Sequence, residues 1–168
     1  MDNNEGWVIY FMKAKEKLTQ LLLDGKIEEA GELIKSIDKE LLNEEIQDVL
    51  LKVSFDNQSI APYIVVIKLL LEYENANLHA FASTLFSNPL CWIEGAYYAG
   101  FYHQKKAVEL EPQRIAFKEY LLSYNSLPEA ILSDEEALKI RKQILKIDPD
   151  NKTVLNHFSS KRFVGKLD

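Results

Sequence analysis

The chain has 168 residues, 46 of them charged, and a formal net charge of −6. Its length suits one domain with a substantial core, and 47% apolar residues exclude wholesale disorder. No apolar run approaches the roughly 18 residues of a membrane span, and an acidic pI near 5.2 argues against a general nucleic-acid binder.

In chain order the periodicity is helical. Trp7, Phe11, Ala14, Leu18, Leu21 and Leu22 recur mostly at three- and four-residue steps, which predicts one buried stripe on a first helix. The apolar stretch from Trp7 to Met12 follows acid and precedes Lys13, so it reads as part of that helix and not as a secretory signal. Asp24-Gly25 ends the helix, because glycine tolerates a left-handed C-cap. A second helix carries Ile27, Ala30, Leu33, Ile34, Ile37 and Leu41 on one face. Asn43 caps a third, with Ile46, Val49, Leu50 and Val53 inward.

Ser59 is the predicted cap of the next helix, with Pro62 in its first turn. The β-branched run Tyr63 to Ile67 could be a strand alone, but its continuation to Tyr73 exceeds the usual strand length of about ten residues. Asn75-Ala76-Asn77 breaks this helix, and a short one follows from Leu78 to Phe86. Asn88-Pro89 predicts a helix start, running to Leu110 before Glu111-Pro112. Another runs from Gln113 to Tyr124. Ser133 with Glu136 forms a capping box for a helix ending near Ile147, and a last short helix spans Asn151 to Phe158.

These eight or nine elements predict an all-α fold of antiparallel helical hairpins in a single domain. Within it, residues 1–54 form acidic N-terminal helices, 59–147 an aromatic-rich helical region, and 151–168 a short helix with a basic tail.

Two segments look alike: Tyr102 to Pro112 and Arg141 to Asn151 are amphipathic helices ending in an acidic residue plus proline, with Pro112 and Pro149 37 residues apart. On these residues the chain resembles the tetratricopeptide repeat family, with its helix-turn-helix period, small residues at helix contacts and proline after the second helix. Ala107 with Pro112, Ala137 with Pro149, and the turn Asp24 to Ala30 carry the resemblance. The family's early Trp, Leu-Gly and Tyr positions are not in register, and residues 43–87 show no match. The resemblance implies a right-handed helical array that binds proteins or peptides, and carries over no catalytic residue.

Candidate chemistry is sparse. Gly95, Ala96, Ala99 and Gly100 predict a smooth helix face for close packing, or the floor of a peptide site. Tyr98 and Tyr102 share a helix face, and with Trp92 they are the candidate aromatic anchors for a partner. Cys91 falls in the first turn of the predicted Asn88-capped helix, where a thiol can be activated. No second cysteine exists, and a buried structural role is the expectation. The lone cysteine also suits a reducing, cytoplasmic compartment. His79, His103 and His157 have no ligand partner at helical spacing, so neither metal nor cofactor is expected. No phosphate loop, nucleophile elbow or paired-carboxylate signature occurs. The chain reads as a non-enzyme, with a site assembled from distant residues as the alternative.

Charge is the most usable signal. Asp24 to Asp48 holds nine acids against three lysines, matching the −6 of the whole chain. Glu28, Glu29, Glu32, Glu44, Glu45 and Asp48 are the candidate docking surface for a basic partner. From Lys152 onward, four basic residues (Lys152, Lys161, Arg162 and Lys166) face one acid, Asp168. These features predict a protein-binding module: an immunity-type inhibitor of a basic toxin or nuclease, or alternatively an adaptor or chaperone-like protein binding short peptides.

Overall fold

The computed structural model describes residues 3–38, 41–129 and 131–160. Side chains are described between Gly6 and Asn156, apart from those of residues 7, 39, 40 and 130. Trp7, Lys39, Glu40, His157, Phe158 and the basic tail (Lys161, Arg162 and Lys166 with Asp168) therefore lie outside the described side chains.

Among the described residues every regular element is helical: α1 (Asn3–Leu23), α2 (Ile27–Ile37), α3 (Glu44–Asn57), α4 (Ala61–Glu72), α5 (Ala76–Ser87), α6 (Ala96–Leu110), α7 (Ile115–Ser123), α8 (Asp134–Ile147) and α9 (Lys152–Ser160). The chain divides into two compact units, Met1–Leu110 and Glu111–Asp168. The internal divisions expected at 54–59 and 147–151 fall elsewhere than this boundary.

In the first unit, α1 packs on α2 and α3, α2 on α4, α4 on α5, and α5 on α6. The expected stripe of α1 is inward: Phe11, Ala14, Leu18, Leu21 and Leu22 are buried. Val8, Ile9, Tyr10 and Met12 are exposed, so Phe11 alone carries the expected burial among the described side chains of the Trp7–Met12 stretch. Gly25, at φ +69°, closes α1. The Lys26 N–H donates to Leu21 O at 2.8 Å and the Gly25 N–H to Leu22 O at 3.2 Å, the paired bonds of a Schellman cap.

The β-branched run of α4 is helical, and Val65, Val66 and Leu69 are fully buried. Helix burial overrides strand propensity here, as tertiary context commonly does. Asn43 caps α3 by accepting from Ile46 N–H at 3.0 Å, and Asn75 caps α5 by accepting from Leu78 N–H at 2.9 Å. At Ser59 the hydroxyl accepts from Ala61 N–H at 3.2 Å, while Ile60 holds the N-cap position of α4.

Two boundaries depart from expectation. The second helix stops at Ile37, with Asp38 as its C-cap, and Leu41 and Leu42 both take left-handed backbone conformations in the turn to α3. Asn88-Pro89 starts no helix. Asn88 is instead the C-cap of α5, where its backbone and side-chain amides both donate to Thr84 O. Residues 88–95 form a turn, anchored by fully buried Leu90, whose N–H donates to Leu85 O at 2.9 Å. Gly95, expected inside a helix, lies just before α6 at φ +79°, a conformation that L-residues rarely adopt.

In the second unit α7 packs on α8 and α8 on α9. Phe117, Leu121, Leu122, Tyr124, Leu132, Ala137, Ile144 and Val154 are buried. The expected capping box is present, with Ser133 Oγ accepting from Glu136 N–H and Glu136 Oε2 from Ser133 N–H. Buried Asn125 ties the α7–α8 connection by donating to Leu132 O at 2.9 Å and Asp134 Oδ1 at 2.8 Å.

Candidate functional site

The first unit contains a cavity of about 370 Å³, lined by Tyr63, Ile67, Leu70 and Leu71 of α4, Glu74, His79 of α5, and Ala99, Tyr102 and His103 of α6. Its position follows from the helix periodicity. On α6, Ala96, Gly100, His103 and Ala107 form one buried stripe; on α5, His79 shares a face with Ala82, Ser83 and Phe86. Each helix thus places one imidazole on the face that a purely apolar stripe would occupy. Ala99 is small enough to leave open space between these helices and α4.

Four polar side chains run in single file along the wall. Tyr63 Oη lies 3.2 Å from His103 Nε2, His103 Nδ1 lies 2.9 Å from His79 Nδ1, and His79 Nε2 lies 3.2 Å from Glu74 Oε1. Both imidazoles are buried, at 5% exposure each. With both rings neutral, each bond has one possible sense. A Glu74 carboxylate only accepts, so His79 Nε2–H donates to it. His79 Nδ1 must then accept from His103 Nδ1–H, and His103 Nε2 accepts the Tyr63 hydroxyl proton. The file therefore ties the orientation of the phenol at one end to the carboxylate at the other.

Burial sets the electrostatics of this file. Desolvation, helped by the neighbouring His79, holds the His103 imidazole down at about 4, so it is neutral at physiological pH. Burial raises the Tyr63 phenol above its ordinary value, with a smaller contribution from Tyr102. Rings pack around the file: Tyr63 meets Phe86 edge-on at 4.5 Å between centroids, and Tyr102 meets His103 at 5.4 Å. The mouth is different. Leu71 is 84% exposed, Tyr102 56%, and the Glu74 side chain 60%.

The sequence-predicted residues are distributed unevenly about this site. Tyr102 lines the cavity, and Tyr98, one turn earlier on α6, is exposed. Trp92 lies in the α5–α6 turn, exposed, with its indole N–H donating to Pro89 O at 3.0 Å. The six acids are all exposed: Glu28, Glu29 and Glu32 on α2, and Glu44, Glu45 and Asp48 on α3. Three of them meet lysines within the chain. Lys68 Nζ lies 2.7 Å from Glu28, Lys35 Nζ 2.7 Å from Glu32, and Lys15 Nζ 2.7 Å from Glu45. Lys35 and Lys68 also reach Glu72, whose carboxyl they hold below its ordinary value.

Cys91 is corrected: it is exposed in the turn, neither buried nor in a helical first turn. His79 and His103, judged isolated by spacing along each helix, are partners across α5 and α6. Tyr63, Glu74, His79 and His103 were thus missed as site residues. The signal available was a histidine on the buried stripe of each of two successive helices. Among the described residues no three His, Cys, Asp or Glu side chains are grouped to hold a metal ion, and no helix is long and apolar enough to cross a membrane. Compared with protein-family models, curated proteins and solved structures, the chain matches none.

Proposed function

We propose that this chain is a non-enzymatic protein-binding module whose α4–α6 cavity receives a side chain of its partner. One observation carries the reading: the cavity has an apolar, exposed mouth at Leu71 and Tyr102, above a wall whose buried polar atoms are already hydrogen-bonded to one another. Such a wall holds its shape without a ligand, and a preformed, mostly apolar concavity favours binding. Its volume sits at the low end of ligand pockets, about 300–1,000 Å³.

The architecture that suits this role is a tetratricopeptide-like array of antiparallel helix pairs. Supporting it, Pro112 and Pro149 follow α6 and α8, the second members of the consecutive pairs α5/α6 and α7/α8, and Ala107 and Ala137 are fully buried. In its sharper form the module is an immunity-type inhibitor of one basic protein, a reading supported by the −6 net charge and the exposed Glu29, Glu44 and Asp48. The adaptor reading draws support from the small size of this cavity, which suits a short peptide. The cytoplasm is the proposed compartment for either.

The test is capture of partners from source-cell lysate by the intact chain and by Leu71→Lys, which puts a cation on the exposed rim. One stoichiometric basic partner, lost with Leu71→Lys, supports the inhibitor. Several substoichiometric partners with a common motif, lost likewise, support the adaptor. Partner capture unchanged by Leu71→Lys overturns the cavity as the docking point.

A further inference from the structure

We infer that the side chain received by the cavity is basic, a lysine or arginine of the partner, with its cation at Glu74 and its aliphatic stem along Ile67, Leu70 and Leu71. This deepens the protein-binding reading and rests on it. Among the described residues that line the cavity, Glu74 is the only Asp, Glu, Lys or Arg, and it stands at the mouth with its side chain 60% exposed. One of its oxygens accepts from His79, which fixes the carboxylate in place. A carboxylate has about four lone-pair sites, so acceptor capacity remains for an ammonium or guanidinium.

The rest of the lining agrees with that cation. His103 is kept neutral by burial and adds no competing positive charge. Tyr102, exposed beside the mouth, offers an aromatic face to a cation. Lys106, the resident cation that senses both Glu74 and Tyr102, bonds Glu109 at 3.0 Å instead. Leu71, Leu70 and Ile67 supply the apolar surface along which lysine and arginine stems lie while their charged ends stay wet. The acidic chain as a whole attracts a basic partner, so steering and the local site have the same sign.

The test uses the isotope-labelled full chain in solution, titrated with Nα-acetyl-lysine methylamide, the arginine analogue and the uncharged norleucine analogue. The expected result is a saturating shift of the His79, His103 and Tyr102 ring resonances, with lysine or arginine binding about fivefold tighter than norleucine at low salt, as for a partly exposed ion pair. Glu74→Gln should erase that preference, and 0.5 M salt should reduce it in the native chain. Equal binding of lysine and norleucine, or shifts confined to α2 and α3, overturns the inference. If partner capture still depends on Leu71 in that case, the protein-binding reading stands and only the basic side chain falls. If the lysine preference holds but Leu71→Lys leaves capture intact, the cavity binds cations and the docking reading falls.

Discussion

Helix α4 contributes to two polar clusters of opposite character. Toward α2, Lys68 meets Glu28 at 2.7 Å and Glu72 at 2.9 Å, and Lys35 meets Glu32 and Glu72 at 2.7 Å each. Toward α5 and α6, Tyr63 joins the file through His103 and His79 to Glu74. The first cluster is formally charged and reaches solvent. The second holds a neutral His103 in its buried part and reaches solvent only at Glu74. Dielectric environment decides the difference. Water supports exposed ions at little net gain, whereas burial penalises charge and makes every unmade hydrogen bond costly. One helix therefore supports a salt-sensitive cluster and a pH-sensitive one.

The largest expected effect comes from cutting the buried file. His103→Leu leaves the Tyr63 hydroxyl and His79 Nδ1 without their partner, and should destabilise by about 1–3 kcal/mol for each orphaned group. Urea denaturation measures it. Replacing the three ring members together, as Tyr63→Phe, His79→Leu and His103→Leu, should recover much of that loss, because none of them then leaves a polar atom stranded. A triple variant weaker than His103→Leu would mean that the file stabilises by its bonds and not merely by being satisfied.

The pH response follows in size. His103 has a folded pKa near 4 against an ordinary 6.5. Between these values the unfolded chain binds the extra proton and the folded chain does not. The contribution is fully present above pH 6.5 and is lost as pH falls toward 4. It amounts to at most roughly 3 kcal/mol, the equivalent of that displacement. Denaturation of the native chain and of His103→Leu at pH 7.5 and 4.5 isolates it, since the carboxylates common to both cancel. Parallel losses in the two proteins would show that His103 titrates normally.

Much of the fold was legible from the sequence because local chemistry fixed it. Gly25, Asn43 and the Ser133–Glu136 box end or start helices through bonds within a few residues. The Asn88-Pro89 misreading has the same root. The dipeptide is a sound local start signal, but fully buried Leu90 holds the segment as a turn, and burial is a tertiary property. The site was less legible for that reason. His79 and His103 are 24 residues apart and meet only when α5 packs on α6. The exposure of Tyr102 was readable because one face of a helix is left outward by periodicity. The acidic surface was readable as charge, but not the lysines that meet Glu28, Glu32 and Glu45 from other turns and helices.

The charged cluster should answer to salt and not to the orphan-group rule. Lys68→Met keeps most of the stem and removes the ammonium from Glu28 and Glu72. A small loss of stability is expected at low ionic strength, shrinking as sodium chloride approaches 1 M, where the screening length is about 3 Å. The loss caused by His103→Leu should be nearly independent of salt. If both losses fell together with added salt, the contrast between the two clusters would fail.

The smallest effect tests how α2 makes room for the Lys68 stem. A Cβ built on Gly31 would lie 3.0 Å from Lys68 Cε and 3.1 Å from Cδ, tight enough that the flexible stem must shift. Alanine within a helix is otherwise favoured over glycine by about 1 kcal/mol. In the native background Gly31→Ala should therefore stabilise by clearly less than about 1 kcal/mol, because moving the stem disturbs the Glu28 and Glu72 pairs. In a Lys68→Ala background, where no stem opposes the new methyl group, the full gain of about 1 kcal/mol should return. The difference is the coupling between the two positions, read from a four-protein denaturation cycle. Zero coupling would mean that the Lys68 stem relocates freely, and that Gly31 is not what lets the ammonium sit between α2 and α4.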